Sequence, residues 1–238
     1  MKVLRTPDAA FADLCGYEFA PYYTTIPDGA GGHTAHASCR RRPVGCGPIL
    51  CLHGEPTWSY LYRKMIPVFA KAGHRVLAPD LVGFGTSDKS AERGDYTYQD
   101  HIDWVTSWLI GLRLIAAMPE RTACVVAANT ALPTGDEGPW PAFEAWRGFS
   151  QSVEQFNSGR IVYGATTRRL SDQNIAACNA PFPDERYKAG ARQFPMLVPT
   201  RPDDPASEPN RASWQVLRGL DLPLAHYLRR GRQGDGGR

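Results

Sequence analysis

Pro48-Ile49-Leu50-Cys51-Leu52-His53-Gly54-Glu55-Pro56-Thr57-Trp58-Ser59-Tyr60 decides how this chain folds. Its first residues are apolar without polar alternation, as in a strand buried on both faces, and the run stops abruptly at His-Gly-Glu-Pro. About twenty residues on, Arg75-Val76-Leu77-Ala78-Pro79-Asp80 is a second such strand. It leads into the Gly-rich turn Gly83-Phe84-Gly85-Thr86-Ser87-Asp88. Between them, Trp58 to Ala72 has apolar residues dense enough for a helix packed on a sheet, and Gly73 stops it. Strand, loop, helix, strand, Gly turn is the pattern of an α/β chain with parallel crossovers.

Working outward, residues 1–30 supply Phe11, Tyr17, Phe19, Tyr22 and Tyr23 as packing aromatics. Residues 31–47 show neither a strand nor a helix period, so no strand is expected there. Thr97 is a plausible cap for a helix over Gln99–Leu109, and Ile110 to Met118 is again helix-like up to Pro119. Cys124–Ala128 reads as a further buried strand. From 133 to 213, Pro, aromatic and Arg content rises, and short helical patches alternate with turns such as Ala180-Pro181-Phe182-Pro183-Asp184. Trp214–Arg218 reads as a short helix stopped by Gly219. The Gly/Arg-rich end from Leu228 to Arg238 has no core-forming pattern and reads as disorder.

The 238 residues suffice for one sizeable core, and 42% hydrophobic with 11% aromatic content suits a globular protein. The net charge of +3 gives little drive toward nucleic acid, even with Arg40, Arg41 and Arg42 in a row. No apolar run approaches ~18 residues, and residues 1–8 contain no apolar signal region, so a cytoplasmic protein without membrane or nucleic-acid partners is expected. The six cysteines, at 15, 39, 46, 51, 124 and 178, form no Cys-x-x-Cys pair and read as buried reduced thiols. His33 and His36 have no acidic neighbour, so no metal and no cofactor are expected.

His53-Gly54-Glu55-Pro56-Thr57-Trp58-Ser59-Tyr60-Leu61-Tyr62-Arg63-Lys64, Ala78-Pro79-Asp80 with Gly83-Phe84-Gly85, and Ala180-Pro181-Phe182-Pro183-Asp184 with Tyr187-x-Ala189-Gly190 resemble the haloalkane dehalogenases of mycobacterial type, within the α/β-hydrolase superfamily. The resemblance implies an α/β-hydrolase-like, mostly parallel sheet carrying an inserted helical cap. Residues 1–132 would be a partial core, 133–213 the cap, and 214–238 a truncated return to the core. It also implies hydrolytic cleavage of carbon–halogen bonds in small haloalkanes or other apolar small molecules. In that chemistry an ionised Asp displaces the halide, a His oriented by an acid activates water against the resulting ester, and indole N–H groups hold the halide.

By this resemblance Glu55 offers its backbone N–H to the oxyanion hole, against the alternative of a purely structural turn. Trp146 is the cap's halide-binding candidate, against that of a cap-core aromatic. His53 reads as a residue that shapes the turn. The nucleophile cannot be placed. The family carries it on a central strand ending in Asp-Trp-Gly-Gly, after the helix that here ends at Leu109, yet Leu109 runs directly into Ile110-Gly111-Leu112-Arg113-Leu114. No Gly-x-Nuc-x-Gly occurs elsewhere. Asp103-Trp104 lacks the glycines of a sharp strand-to-helix turn and has solvent-side helical spacing. The family's acid and His base, on C-terminal strands, are not found either: His226 has no glycine turn or strand pattern around it.

With the central strand missing, the strands at 48–52 and 124–128 must pair directly or the sheet must split. The expectation is therefore a dehalogenase-lineage hydrolase with impaired or absent activity. The alternatives are a non-catalytic small-ligand-binding protein and the product of a degraded gene.

Overall fold

The computed structural model describes residues 2–28, 32–41, 46–106, 111–128 and 130–227. Its strands are β1 (Val3–Leu4), β2 (Pro21–Pro27), β3 (His33–Arg41), β4 (Cys46–Leu50), β5 (His74–Pro79), β6 (Lys89–Ser90), β7 (Val125–Ala128) and β8 (Leu224–Tyr227). Its α-helices are α1 (Met65–Lys71), α2 (Tyr98–Thr106), α3 (Gly111–Ala117), α4 (Pro141–Ser152), α5 (Ser158–Ala165), α6 (Asp172–Asn179), α7 (Ala189–Leu197) and α8 (Ser207–Arg218). The chain divides into two compact units: Met1–Leu109 with Pro139–Val198, and Ile110–Gly138 with Pro199–Arg238.

In the first unit the strand order is β2-β3-β5-β4. β4 and β5 are parallel, with Ile49 opposite Val76, as the two apolar runs require. β3 is antiparallel to β2 on one side and to β5 on the other. This corrects the expectation that residues 31–47 hold no strand. Thr34, His36, Ala37 and Ser38 are all at most 2% exposed, so the strand is covered on both faces and no alternation exists to be read. Its backbone is held by side chains as well: Ala35 N–H donates to Asp88 Oδ2 at 2.8 Å and Ala37 N–H to Ser87 Oγ at 2.8 Å.

The expected helix over 58–72 is a 3₁₀ turn, Ser59–Tyr62, followed by α1. Pro67 has no N–H to give and is best placed in a first helical turn, and the helix begins just before it. Ile66 is buried against Cys51, Val76 and Ala78. In α2 the cap at Thr97 is present: its hydroxyl accepts from Asp100 N–H at 2.9 Å, and Asp100 Oδ2 accepts from Thr97 N–H at 3.2 Å.

Residues 139–198 are helices and turns. Asn157, Ser171 and Asp184 cap them, each accepting from a backbone N–H two or three residues on. The buried Arg192 on α7 donates to Ser150 O and Glu154 O and pairs with Glu185 at 2.7 Å, which ties this region together.

The second unit holds α3, α8 and a two-stranded parallel sheet, β7 with β8. The sheet has split, one of the two outcomes expected without a central strand: β4 and β7 lie in separate sheets. β7 is not the buried strand expected. Val126 is 68% exposed, Cys124 is exposed, and only Ala127 is buried, because a two-stranded sheet leaves much of each face bare. Residues 224–227, expected to be patternless, form β8; an edge with free N–H and C=O groups recruits a strand whatever its side chains are. Helix α8 starts at Ser207, earlier than expected, and ends at Gly219. Its Trp214 indole donates to Leu132 O at 2.7 Å.

Tyr22 and Tyr23 are exposed on β2, whereas Phe11 and Tyr17 pack on Trp58 as expected. Cys51 and Cys178 are buried and Cys15 and Cys124 exposed; all four are free. The tail from Leu228 and the junction Leu109–Ile110 lie outside the described residues. Among the described residues no helix is long and apolar enough to cross a membrane.

Candidate active site

Two loops follow β4 and β5 in the first unit. His53 fixes their spacing. Its Nε2 accepts from Leu81 N–H at 3.0 Å and its Nδ1 donates to Gly54 O at 3.1 Å, which sets a neutral tautomer protonated on Nδ1. Burial holds its pKa below the ordinary imidazole value, although the charge of Asp80 opposes this. Both ring nitrogens are committed to backbone, so His53 is the turn-shaping residue expected.

Asp80, 1% exposed, organises the Gly-rich turn. One carboxylate oxygen accepts from Ser59 N–H at 2.7 Å; the other accepts from Thr86 N–H at 2.8 Å and from the Thr86 hydroxyl at 2.9 Å. Gly85 (φ +49°) passes so close that a Cβ there would lie 2.1 Å from the Asp80 carboxyl carbon. Asp88 pairs with Arg5 at 2.6 Å. The fully buried Lys89 ammonium donates to Gly85 O at 2.7 Å and Ser87 O at 2.9 Å, and burial lowers its pKa to about 7.

Glu55 and Trp146 come together. Trp146, projected from α4, lies near enough to the Glu55 carboxyl to favour its charged form. The carboxyl oxygen Oε1 is buried with no hydrogen-bond partner among the described residues. Burial pushes the Glu55 pKa up to about 8, the Trp146 bond opposing the rise. The Trp146 ring lies 5.7 Å from Phe149 and 6.2 Å from Phe156. It also lines an open depression of about 550 Å³ with Phe149, Gln155, Asn157, Arg160 and Ile161. Trp58 is 1% exposed and donates to Ala177 O at 3.1 Å, which fixes the loop against α6.

Asp103 is exposed on α2 and accepts from Gln99 at 2.7 Å, as its helical spacing required. His226 lies in β8 of the second unit, within a strand rather than outside one. The residue pattern did not single out His101. It is 5% exposed, ringed by Tyr96, Trp104 and Phe194 at 5.1–5.9 Å. Neither ring nitrogen has a partner among the described residues, and burial lowers its pKa to about 3. Its position on the apolar stripe of α2, three residues before Trp104, was the available signal.

Residues 47–115 match the family model for the alpha/beta hydrolase fold. The parallel β4–β5 pair and the loops that follow it thus belong to an α/β hydrolase. The chain is 51% identical to a haloalkane dehalogenase of Psychrobacter cryohalolentis, over 94% of its own length and 80% of that relative's. It is 46% identical to haloalkane dehalogenase 1 of Mycobacterium tuberculosis, over 94% and 81%. The solved structure of the tetrameric haloalkane dehalogenase DpaA from Paraglaciecola agarilytica superposes with a TM-score of 0.85 at 31% identity, covering 96% of this chain and 82% of that one. The chain belongs to the haloalkane dehalogenase family.

The Psychrobacter alignment spans 242 positions while using only 94% of a 238-residue chain. The relative therefore carries residues, inside the matched span, that this chain lacks.

Proposed function

We propose that this chain is a haloalkane dehalogenase relative that binds small apolar halides but no longer turns them over. One observation carries the reading: Leu109 joins Ile110 with no Asp-bearing turn between them, and no other nucleophile turn exists in the sequence. Residues of a catalytic triad act as a unit, so loss of the nucleophile alone removes nearly all turnover. The commitment of both His53 nitrogens to backbone supports it.

In this reading residues 133–213 are the helical cap over a partial core, 1–132, and 214–238 return to it. Trp146 is the indole donor for a departing or bound halide. The Glu55 backbone N–H belongs to the oxyanion hole. Both roles rest on the matching motif positions. Four free cysteines suit the reducing conditions of a cytoplasm.

The test is paired. Bromide release from 1,2-dibromoethane and 1-bromobutane is measured beside quenching of tryptophan fluorescence by bromide. Quenching that is lost in Trp146→Phe, without sustained release, supports the reading. Sustained release overturns the loss of turnover, and absent quenching overturns the binding site.

A further inference from the structure

Two free thiols of the first unit adjoin the same aromatic turn, Ser59–Tyr62. Cys15 is exposed at the corner of a tight turn, in which Tyr17 N–H donates to Leu14 O at 3.0 Å and Gly16 is left-handed at φ +70°. The Tyr60 hydroxyl donates to Cys15 O at 2.9 Å. Leu14 packs on the cluster formed by Trp58, Tyr60, Ala177 and Cys178. Arg63 joins the same parts. Its guanidinium lies 4.0 Å over the Tyr60 ring and donates to Asn174 Oδ1 at 2.8 Å, while a Cβ on Gly16 would lie 4.0 Å from its Cδ. Asn174 and Cys178 stand four residues apart on α6 and share a helix face. Cys15 and Cys178, far apart in sequence, are thus brought to the same two side chains, Tyr60 and Arg63.

We propose that Cys15 and Cys178 are a redox pair, closed by hydrogen peroxide into a disulfide that fastens the entry segment to α6. Cys15, the exposed member, meets the oxidant first. Its thiolate attacks one peroxide oxygen: the S–O bond forms, the O–O bond breaks, and hydroxide leaves. The Cys178 thiolate then attacks the sulfenic sulfur of Cys15: the S–S bond forms, the S–O bond breaks, and a second hydroxide leaves. The two hydroxides take up the two thiol protons, so two thiols are oxidised as one peroxide is reduced to two waters. Burial raises the Cys178 thiol, and the Arg63 guanidinium opposes that rise, which favours the attacking thiolate. Disulfide geometry needs Cα atoms within about 7 Å, and Cys15 sits on an exposed surface turn, where the backbone adjusts at small cost. Cys51 does not compete: it belongs to a different core cluster, and burial pushes its thiol up to about 11. Cys124 lies in the second unit.

The test exposes the full, reduced chain to hydrogen peroxide, caps the remaining thiols with iodoacetamide and maps the peptides without reductant. The expected result is a chain from which two hydrogens are lost before capping, with the peptides of Cys15 and Cys178 joined. Dithiothreitol then restores both thiols. Cys15→Ser, a change at an exposed position, keeps the parent's near-UV circular dichroism and forms no such link. Four results overturn the proposal: no change in mass, a disulfide mapped to any other pair of the six cysteines, links formed only between chains, or Cys15 oxidised to sulfinic acid while Cys178 stays free. The link requires neither halide binding nor turnover, so the bromide measurements and this one stand or fall separately.

Discussion

Replacing Asp80 by Ala removes the acceptor around which two loops are built. Ser59 N–H and Thr86 N–H, at 2.7 and 2.8 Å, lose their only named partner inside a site that is 1% exposed. Each orphaned buried donor costs about 1–3 kcal/mol. The Thr86 hydroxyl can rotate toward another acceptor, so its loss adds less, about 1 kcal/mol. Together these come to about 5 kcal/mol, a large fraction of a typical stability of about 5–15 kcal/mol. Urea unfolding followed by tryptophan emission reads it directly, because Trp58 adjoins Ser59 and is buried with it. With a slope of about 2–3 kcal/mol per molar, the midpoint falls by about 2 M. A shift of less than about 0.5 M would show that the turn is held by something other than this carboxylate.

Gly85→Ala drives a Cβ into the same carboxyl, and it also strains a left-handed backbone. The double variant Gly85→Ala/Asp80→Ala is therefore less destabilised in urea than the sum of its single changes. Three buried imidazoles resist protonation: His36 titrates at about 4, His101 at about 3, and His53 below its ordinary value. The unfolded chain takes up protons that these rings refuse. Their contribution to stability is thus full above about 6.5 and falls as pH drops below it, by about 2.5 kcal/mol per pH unit near pH 5 from His36 and His101, measurable from urea midpoints across pH 4–7. Trp146→Phe removes the indole that lowers the Glu55 pKa, so the carboxyl titrates above about 8, read by carbon-13 NMR of labelled glutamate; an unchanged titration would separate Trp146 from Glu55. Asp103→Ala, on an exposed face of α2, leaves both bromide release and stability within about 0.5 kcal/mol of the parent.

The parallel pair at 46–50 and 74–79 was legible because both strands are continuous apolar runs ended by loops with strict backbone demands. The α2 cap was legible because Thr97 and Asp100 stand at capping-box spacing. Glu55 and Trp146 could be named from motif positions, but their contact joins residues ninety-one apart and has no local signature. β3 was not legible, since a strand of small and polar residues covered on both faces shows no period. β8 was not legible because its pairing is set by the bare edge of β7 rather than by its own residues. β7 looked buried because apolar residues imply a neighbour, and here β8 is its one partner among the described residues. Burial of His101 and Lys89 follows from contacts distant in sequence, with Phe194 for the one and with Leu4 on β1 for the other.

A time course of bromide release from 1-bromobutane by the purified chain goes to the heart of the matter. If the fold survives while its attacking aspartate does not, bromide stays at the level of the protein-free control. A linear course through many equivalents would mean that a working nucleophile is present after all.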